Sequence, residues 1–321
     1  MVIPKLSDVY KARKIIERYL PRTITEYSSK LSELVGGDVY LKRDDQLPLG
    51  AFKVRGGLNI LANLSVEERE RGVITASTGN HGQSIANACN IFGAKAFIAL
   101  PKGANPLKVE AIKSLGAELL FHGRNFDDAR EYAERLAMQE GFRYIHPVNE
   151  PLIIAGVATQ ALEIVEDVPD VNAIFVPLGG GSGASGACIV TKSINPDIKV
   201  YAVQSESSSA GFLSWKQGGV RTAGNETFAE GLATGTGYDL PFSVLKAHLD
   251  DFILVTDDEI RASICLLIEK AHTLAEGAGA AALAGIIKSG EKLVGKKMVA
   301  VVSGGNITLD QLEQSIKHFK S

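Results

Sequence analysis

Lys53 ends the run KRDDQLPLGAFK (residues 42–53), in which Pro48 and Gly50 bend the chain just before a predicted helix. A glycine-rich segment, GGGSG at residues 179–183, lies far downstream between a predicted strand and a predicted helix. A lysine amine forms a Schiff base with an aldehyde, and the N–H groups of a glycine loop at a helix start bind phosphate. A lysine combined with a phosphate site on another element is what a covalently held, phosphorylated cofactor requires, and it indicates pyridoxal phosphate.

Two further polar loops follow predicted strands and add groups that could bind a substrate. The loop STGNHG at 77–82 offers hydroxyls, an amide, an imidazole and free N–H groups at the start of a helix predicted over 83–92, which suits a substrate carboxylate. The loop SGGN at 303–306 follows the predicted strand Val299–Val302. Each loop taken alone also fits an ordinary helix cap or turn, so the interpretation depends on their combination.

The glycine segment also supports a different class of function. Residues 181–186 (GSGASG) match the pattern G-x-G-x-x-G, and Glu206 follows 20 residues after Gly186, where a ribose-binding acid would stand. Such fingerprints usually open the first βαβ unit, whereas about half of this chain precedes the segment. The dinucleotide interpretation also gives Lys53 no role. A nucleotide-dependent oxidoreductase therefore stays as an alternative to the cofactor interpretation.

Short β-branched runs alternate with helical patterns along the chain, and these elements must position the loops. The alternation predicts an α/β fold with parallel sheets covered by helices on both faces. Ligands of such sheets bind beyond the carboxyl ends of the strands. The predicted strands are Val39–Lys42, Val73–Ala76, Ala96–Leu100, Glu118–Phe121, Ala173–Pro177, Lys199–Val203, Phe252–Val255 and Met298–Val302.

Length and composition narrow the class of protein. A chain of 321 residues predicts two domains. The net charge of −3 and the lack of a basic tract argue against a nucleic-acid partner. No apolar run reaches the length of a membrane span, and the N-terminus lacks a signal peptide, so a cytoplasmic protein without a membrane partner is expected. The three cysteines, Cys89, Cys188 and Cys265, are expected to be buried thiols.

Taken together, the motifs resemble those of the threonine/serine dehydratase and serine racemase group of fold-type II pyridoxal-phosphate enzymes. The resemblance covers nearly the whole chain in the expected order. It rests on the glycine loop and on KRDDQLPLGAFKVRGG (42–57), ASTGNHGQSIA (76–86), AEGLA (229–233), AEGAGAAALAG (275–285) and VVSGGN (301–306).

The resemblance implies a role for each matching residue. Lys53 would hold the cofactor and later remove the α-proton of the substrate, and Phe52 would pack against the cofactor ring. Asn80 would donate to the phenolic oxygen, Ser303 would face the pyridine nitrogen and Glu276 would lie near the ring. The phosphate would be bound by Gly179, Gly180, Gly181, Ser182 and Gly183. The substrate carboxylate pocket would be lined by Ser77, Thr78, Gly79, Asn80 and His81.

The same resemblance implies the reaction, the architecture and the assembly. The expected reaction is β-elimination from L-threonine or L-serine, which yields 2-oxobutanoate or pyruvate and ammonia. Residues 1–54 and 149–321 would form a large cofactor-binding domain, and residues 55–148 a small inserted domain, with the cofactor in the cleft between them. A homodimer or homotetramer is expected.

Three departures from the group's pattern bear on this expectation. Thr78 replaces the alanine of dehydratases or the catalytic serine of serine racemases, so racemisation stays open. A dehydratase of another, bulkier or acidic β-hydroxy amino acid is a separate alternative. Ser182 interrupts the row of glycines in the phosphate loop. Gln204 stands where the group has a metal-binding glutamate, with Glu206 displaced by two residues, so no metal site is predicted. Because the chain ends at Ser321, no C-terminal regulatory domain is expected.

Overall fold

The computed structural model of the protein describes residues 2–320 and contains a six-stranded and a four-stranded sheet. The larger sheet has the strand order β1-β2-β10-β7-β8-β9 and the smaller one the order β5-β4-β3-β6. The strands are β1 (Thr25–Tyr27), β2 (Asp38–Arg43), β3 (Val73–Ala76), β4 (Ala96–Leu100), β5 (Glu118–Phe121), β6 (Arg143–Tyr144), β7 (Ala173–Pro177), β8 (Lys199–Ser205), β9 (Asp251–Val255) and β10 (Lys297–Val302).

Helices cover the sheets, as the alternating pattern predicted. They are α1 (Leu6–Ile16), α2 (Ser29–Val35), α3 (Lys53–Asn63), α4 (Val66–Arg71), α5 (Asn80–Phe92), α6 (Pro106–Lys113), α7 (Phe126–Glu140), α8 (Pro151–Asp167), α9 (Ser182–Ile194), α10 (Ala210–Gln217), α11 (Asp239–His248), α12 (Asp257–Ala271), α13 (Gly277–Ser289) and α14 (Leu309–Lys320). Within the described residues, no helix combines the length and the apolar character needed to cross a membrane.

The predicted parallel α/β architecture is confirmed. All strand pairs are parallel except β1 with β2, which pair antiparallel at one edge of the larger sheet. All the predicted strands are present, whereas the short strands β1 and β6 were not predicted. Strands of two or three residues bury too little side-chain surface to leave a periodic pattern in the sequence.

The smaller sheet takes all its strands from residues 73–144, and the larger sheet takes its strands from both flanks. The division into residues 55–148 and the two flanking segments stays a prediction. Helix α3 begins at Lys53 and runs across the first predicted boundary. Met1 and Ser321, the outer ends of the predicted large domain, lie outside the described residues.

Glycines allow α3, α8 and α9 to pack with their backbones in contact. A Cβ on Gly156 of α8 would lie 2.7 Å from the carbonyl oxygen of Arg55 in α3, and a Cβ on Gly186 of α9 would lie 2.8 Å from Cα of Ala158 in α8. Neither contact tolerates a larger side chain. This packing fixes the starts of α3 and α9 relative to each other.

The polar loops all leave the carboxyl ends of strands. Loop 77–79 follows β3, loop 178–181 follows β7, and loop 303–306 follows β10. Strands β2, β10 and β7 are neighbours in the larger sheet, so their carboxyl ends share one edge. Backbone hydrogen bonds join the segment after β2 to the loop after β10, from Phe52 N–H to the Ser303 carbonyl (3.0 Å) and from Gly305 N–H to the Gly50 carbonyl (2.9 Å).

Candidate active site

Lys53 is the first residue of α3, and its amine faces the start of α9. Its Nζ lies 3.2 Å from Oγ of Ser182 and 5.1 Å from the centre of the Phe52 ring. Burial lowers the pKa of the Lys53 amine to about 8, and no carboxylate among residues 2–320 counters that effect. A large fraction of this amine is therefore neutral, and hence nucleophilic, at a pH near 8.

The glycine loop beside Lys53 is tightly backed by other parts of the chain. A Cβ on Gly179 would lie 2.2 Å from the carbonyl oxygen of Gly231, and a Cβ on Gly180 would lie 2.2 Å from a methyl group of Val148. Gly181 has a φ of +99° and is the N-cap of α9. The free N–H groups at this helix start form an anion site. A phosphate-bearing group that also reacts with an amine fits these residues.

The loop after β3 leads into α5, which begins at Asn80 and not at Gln83 as predicted. Asn80 and His81 thus lie in the first turn, and a Cβ on Gly79 would meet no atom within 4 Å, so the loop borders open space. Oγ of Ser77 accepts a hydrogen bond from the Gly79 N–H (3.2 Å). The hydroxyl of Thr78 is partly exposed and forms no hydrogen bond within residues 2–320.

His81 is turned toward the smaller sheet. Its Nε2 lies 3.1 Å from Oγ1 of Thr75, and that hydroxyl donates to the carbonyl of Ile145 (2.7 Å). Because the Thr75 hydrogen is already used, Nε2 of His81 is the donor of the pair. Burial, together with the positive charge of Lys53, holds the pKa of His81 well below its usual value, so the ring is neutral. Its role in the carboxylate pocket stays a prediction.

His146, which the sequence did not single out, is a second neutral imidazole near Lys53. Its Nδ1 accepts hydrogen bonds from the backbone N–H groups of Val148 (3.0 Å) and Asn149 (2.9 Å). Burial lowers the pKa of His146 to about 4, and Lys53 adds to this effect. Neither histidine therefore places a second positive charge beside the lysine.

Asn80 belongs to a hydrogen-bonded network that closes the other side of the site. Its Nδ2 donates to Oε1 of Glu276 (2.8 Å), and its Oδ1 accepts from Nδ2 of Asn306 (2.8 Å). Burial raises the pKa of Glu276 to about 7, and the hydrogen bond from Asn80 limits the rise. Ser303 is buried at the adjacent loop. The structure thus brings together Asn80, Glu276 and Ser303, which were predicted from three distant segments, and it adds Asn306.

A cluster of buried charges surrounds Arg55, two positions after Lys53, and was not predicted from the sequence. Nε of Arg55 lies 2.9 Å from a carboxylate oxygen of Asp44, and Nη1 of Arg55 lies 2.7 Å from one of Glu163. Nζ of Lys42 lies 2.7 Å from the other oxygen of Glu163. Lys42 stands on a strand of a covered sheet, where a charge needs a partner, but the sequence does not indicate which residue that partner is.

Gln204, a neutral side chain, occupies the position at which the resemblance implies a metal-binding glutamate. Oε1 of Gln204 accepts a hydrogen bond from the Phe212 N–H (3.1 Å). Its Nε2 is buried without a hydrogen-bond partner among the described residues. Residues 2–320 contain no group of three or more His, Cys, Asp and Glu side chains arranged to hold a metal ion.

Comparison with known proteins places the chain in a family. The model of the pyridoxal-phosphate dependent enzymes matches residues 16–304, and the chain belongs to that family. This membership supports pyridoxal phosphate as the cofactor over the nucleotide-dependent alternative. The binding of its phosphate by the glycine loop stays a prediction.

Individual relatives cover almost all of the chain. It is 41% identical over 312 residues to an L-threonine ammonia-lyase of Thermotoga maritima (97% of this chain, 78% of the relative). It is 35% identical over 314 residues to a catabolic L-threonine dehydratase of Escherichia coli K12 (96% and 95%). The solved structure of threonine deaminase isoform 2 from Solanum lycopersicum is similar with a TM-score of 0.91 and 30% identity, over 98% of this chain and 94% of that one.

Proposed function

We propose that the protein is an ammonia-lyase that removes the β-hydroxyl and the amino group from L-threonine or L-serine. The products are 2-oxobutanoate or pyruvate, together with ammonia. The observation that carries the proposal is the position of the Lys53 amine. It lies at the start of α3, forms no ion pair within residues 2–320 and faces the glycine-capped start of α9. The names of the similar proteins support the choice of substrate.

The residues present fit pyridoxal phosphate. Lys53 would attach it, the N–H groups of residues 179–183 would bind its phosphate, and Phe52 would pack against its ring. Asn80 would donate to its phenolic oxygen and Ser303 would face its ring nitrogen. When bound, the cofactor withdraws electrons from the α-carbon of an attached amino acid.

Lys53 is also the group best placed to move the α-proton. A general base works best when its pKa lies near the working pH, and burial brings the pKa of Lys53 to about 8. The rings of His81 and His146 are neutral, so they do not lower the pKa of Lys53 further, as a positive charge beside the protonated amine would. The start of α5, next to Gly79 and Asn80, offers N–H groups for the substrate carboxylate.

The proposal is tested by following 2-oxo acid and ammonia release from the cofactor-loaded protein. L-Threonine, L-serine and 3-hydroxyaspartate are compared, and their D-isomers serve as controls. We expect equal amounts of ammonia and 2-oxobutanoate from L-threonine, or equal amounts of ammonia and pyruvate from L-serine. A protein that binds the cofactor but releases no 2-oxo acid from any of these amino acids would contradict the proposal.

Racemisation of serine is the second candidate function, and it rests on Thr78. The Thr78 hydroxyl is partly exposed and has no hydrogen-bond partner among residues 2–320, so it is free to transfer a proton to a substrate. Thr78→Ala should abolish any interconversion of L- and D-serine and should leave 2-oxo acid release within about threefold of wild type. Chiral separation of the product mixture measures both. Racemisation that persists in the variant would remove Thr78 from this role.

The assembly belongs to the same proposal. The resemblance to the dehydratase group supports a homodimer or homotetramer acting in the cytoplasm on a small amino acid. Sedimentation equilibrium of the loaded protein would establish the assembly, and a monomer at all concentrations would contradict it.

A further inference from the structure

Asn306 ends the loop after β10 and contacts two segments that lie far from it in the sequence. Its Nδ2 donates one hydrogen bond to Oδ1 of Asn80 and another to the carbonyl oxygen of Leu49, both at 2.8 Å. Asn80 is the first residue of α5, and Leu49 precedes Lys53 by four positions. One side chain therefore joins the lysine-bearing segment to the start of α5.

The contact between Asn306 and Asn80 fixes the orientation of the Asn80 amide. Asn80 accepts at Oδ1 from Asn306 and donates from Nδ2 to the carboxylate of Glu276. Turning the amide over would place N–H groups of Asn80 against those of Asn306 and would place its carbonyl oxygen against the carboxylate. Both new contacts are repulsive. In the observed orientation, one N–H of Asn80 Nδ2 stays available for another acceptor.

The contact to Leu49 holds an unfavourable backbone turn. Leu49 has φ 71° and ψ 6°, in the left-handed region that branched and bulky side chains avoid, and Gly50 follows with φ 63°. Such a residue persists only where its surroundings hold it in place. A Cβ on Gly50 would lie 2.7 Å from Oδ1 of Asn306, so the asparagine lies directly against this turn.

We propose that Asn306 is a positioning residue, which orients the Asn80 amide toward the cofactor and holds the turn at Leu49 and Gly50 that leads into Lys53. The proposal rests on the proposed function in one respect, the assignment of Asn80 to the phenolic oxygen of the cofactor. In this proposal Asn306 acts through its two neighbours, Asn80 and Leu49.

The first test is Asn306→Asp, which keeps the shape of the side chain and replaces two N–H donors by an acceptor. The Asn80 amide is expected to turn over and to lose its N–H toward the cofactor. Cofactor affinity, from titration of the visible absorption band, should fall about tenfold or more. The pH midpoint of that band should also shift from the wild-type value. Asn125→Asp is the matched control, because Asn125 caps α7 at the surface and aspartate caps equally well.

The second test separates positioning from a general loss of structure. In an Asn80→Ala background the amide that Asn306 orients is absent, so Asn306→Asp should shift the pH midpoint much less, through the turn at Leu49 alone. A midpoint shift of the same size in both backgrounds would overturn the proposal. Wild-type affinity and midpoint in Asn306→Asp would overturn it as well.

Folding and function are kept apart in these tests. If thermal denaturation shows that Asn306→Asp does not fold, Asn306→Ser takes its place, since one hydroxyl can donate to only one of the two carbonyl groups. The same shift of the pH midpoint, at smaller size, is then expected, and its absence would overturn the proposal.

A wild type that binds the cofactor but leaves L-threonine unchanged would contradict the proposed function alone. A wild type without a visible band would contradict both.

Discussion

Lys53 and Arg55 are two basic residues of the same helix with opposite surroundings, the first partly buried and the second fully buried. Arg55 is held by the carboxylates of Asp44 and Glu163, and although burial opposes its charge, these partners raise its pKa above the ordinary value. Lys53 has no carboxylate partner among the described residues, and burial lowers its pKa to about 8. Arg55, with its permanent charge, stands only two positions after Lys53, whose amine can lose its proton.

The difference shows how one helix start serves both stability and chemistry. A buried charge with partners is costly to disturb, because the loss of one member leaves the others uncompensated. A buried amine without a partner contributes little to stability, but it is poised to react. We infer that the cluster of Arg55, Asp44, Glu163 and Lys42 anchors α3, so that the unpaired Lys53 can be held in place without an ion pair of its own.

The largest expected effect is that of Lys53→Met on activity. The turnover number for 2-oxo acid release should fall by about 10⁴-fold or more, because the variant loses both the attachment point and the base. Its thermal stability without cofactor should stay close to wild type, since no ion pair is broken. Steady-state assays and thermal denaturation measure the two effects. A loss of stability as marked as the loss of activity would contradict the contrast drawn between Lys53 and Arg55.

Arg55→Met should have its main effect on stability, where Lys53→Met affects activity. It should lower the free energy of unfolding by about 3–5 kcal/mol, because Asp44 and Glu163 would be left buried without their main partner. Urea denaturation at neutral pH gives the value, with Lys53→Met as the control from the same helix. An Arg55→Met protein as stable as wild type would show that the cluster is not an anchor.

The glycine loop allows a test of the anion site with two alanine variants. Gly179→Ala should weaken cofactor binding by about 10–100-fold, because the new Cβ would meet the Gly231 carbonyl oxygen at 2.2 Å and displace the loop. Gly183→Ala should stay within about threefold of wild type, because its Cβ would lie at ordinary contact distances of 3.4 Å or more. Absorbance titration compares the two, and equal affinities would contradict the proposed cradle.

The smallest expected effect concerns Glu276 and pH. The pKa of this carboxyl is raised from 4.5 to about 7, so between those pH values the folded protein binds more protons than the unfolded chain. The free energy of unfolding should therefore fall as the pH rises from 4.5 to 7, with a contribution of about 1–3 kcal/mol from this group. Glu276→Gln should flatten that dependence, and the exposed Glu17→Gln should leave it unchanged. Denaturation of the cofactor-free protein at several pH values provides the measurement. An unaltered slope in Glu276→Gln would show that this carboxyl titrates normally.

The sequence predicted those parts of the molecule that leave local signals. The longer strands are indicated by β-branched runs and the glycine loop by its adjacent glycines. Lys53 is indicated by the bend at Pro48 and Gly50 just before a helix. The start of α5 was placed three residues too late, because the helical pattern of apolar residues begins only after the polar first turn.

The parts that the sequence did not reveal depend on long-range contacts. Asn306 looked like a turn residue, and its contact with Asn80 spans 226 positions. Arg55 and Glu163 are 108 positions apart, and nothing in the neighbourhood of either residue indicates the other. His146 stands in an irregular segment after the short strand β6, where no periodicity marked it as part of the site.

Chemical trapping can show whether the amine of Lys53 is the group that holds the cofactor. The loaded protein is reduced with borohydride, digested and mapped by mass spectrometry. We expect the added mass of the cofactor on the peptide that contains Lys53, and no added mass in Lys53→Met. Cofactor mass on another lysine, or equal trapping in Lys53→Met, would contradict it.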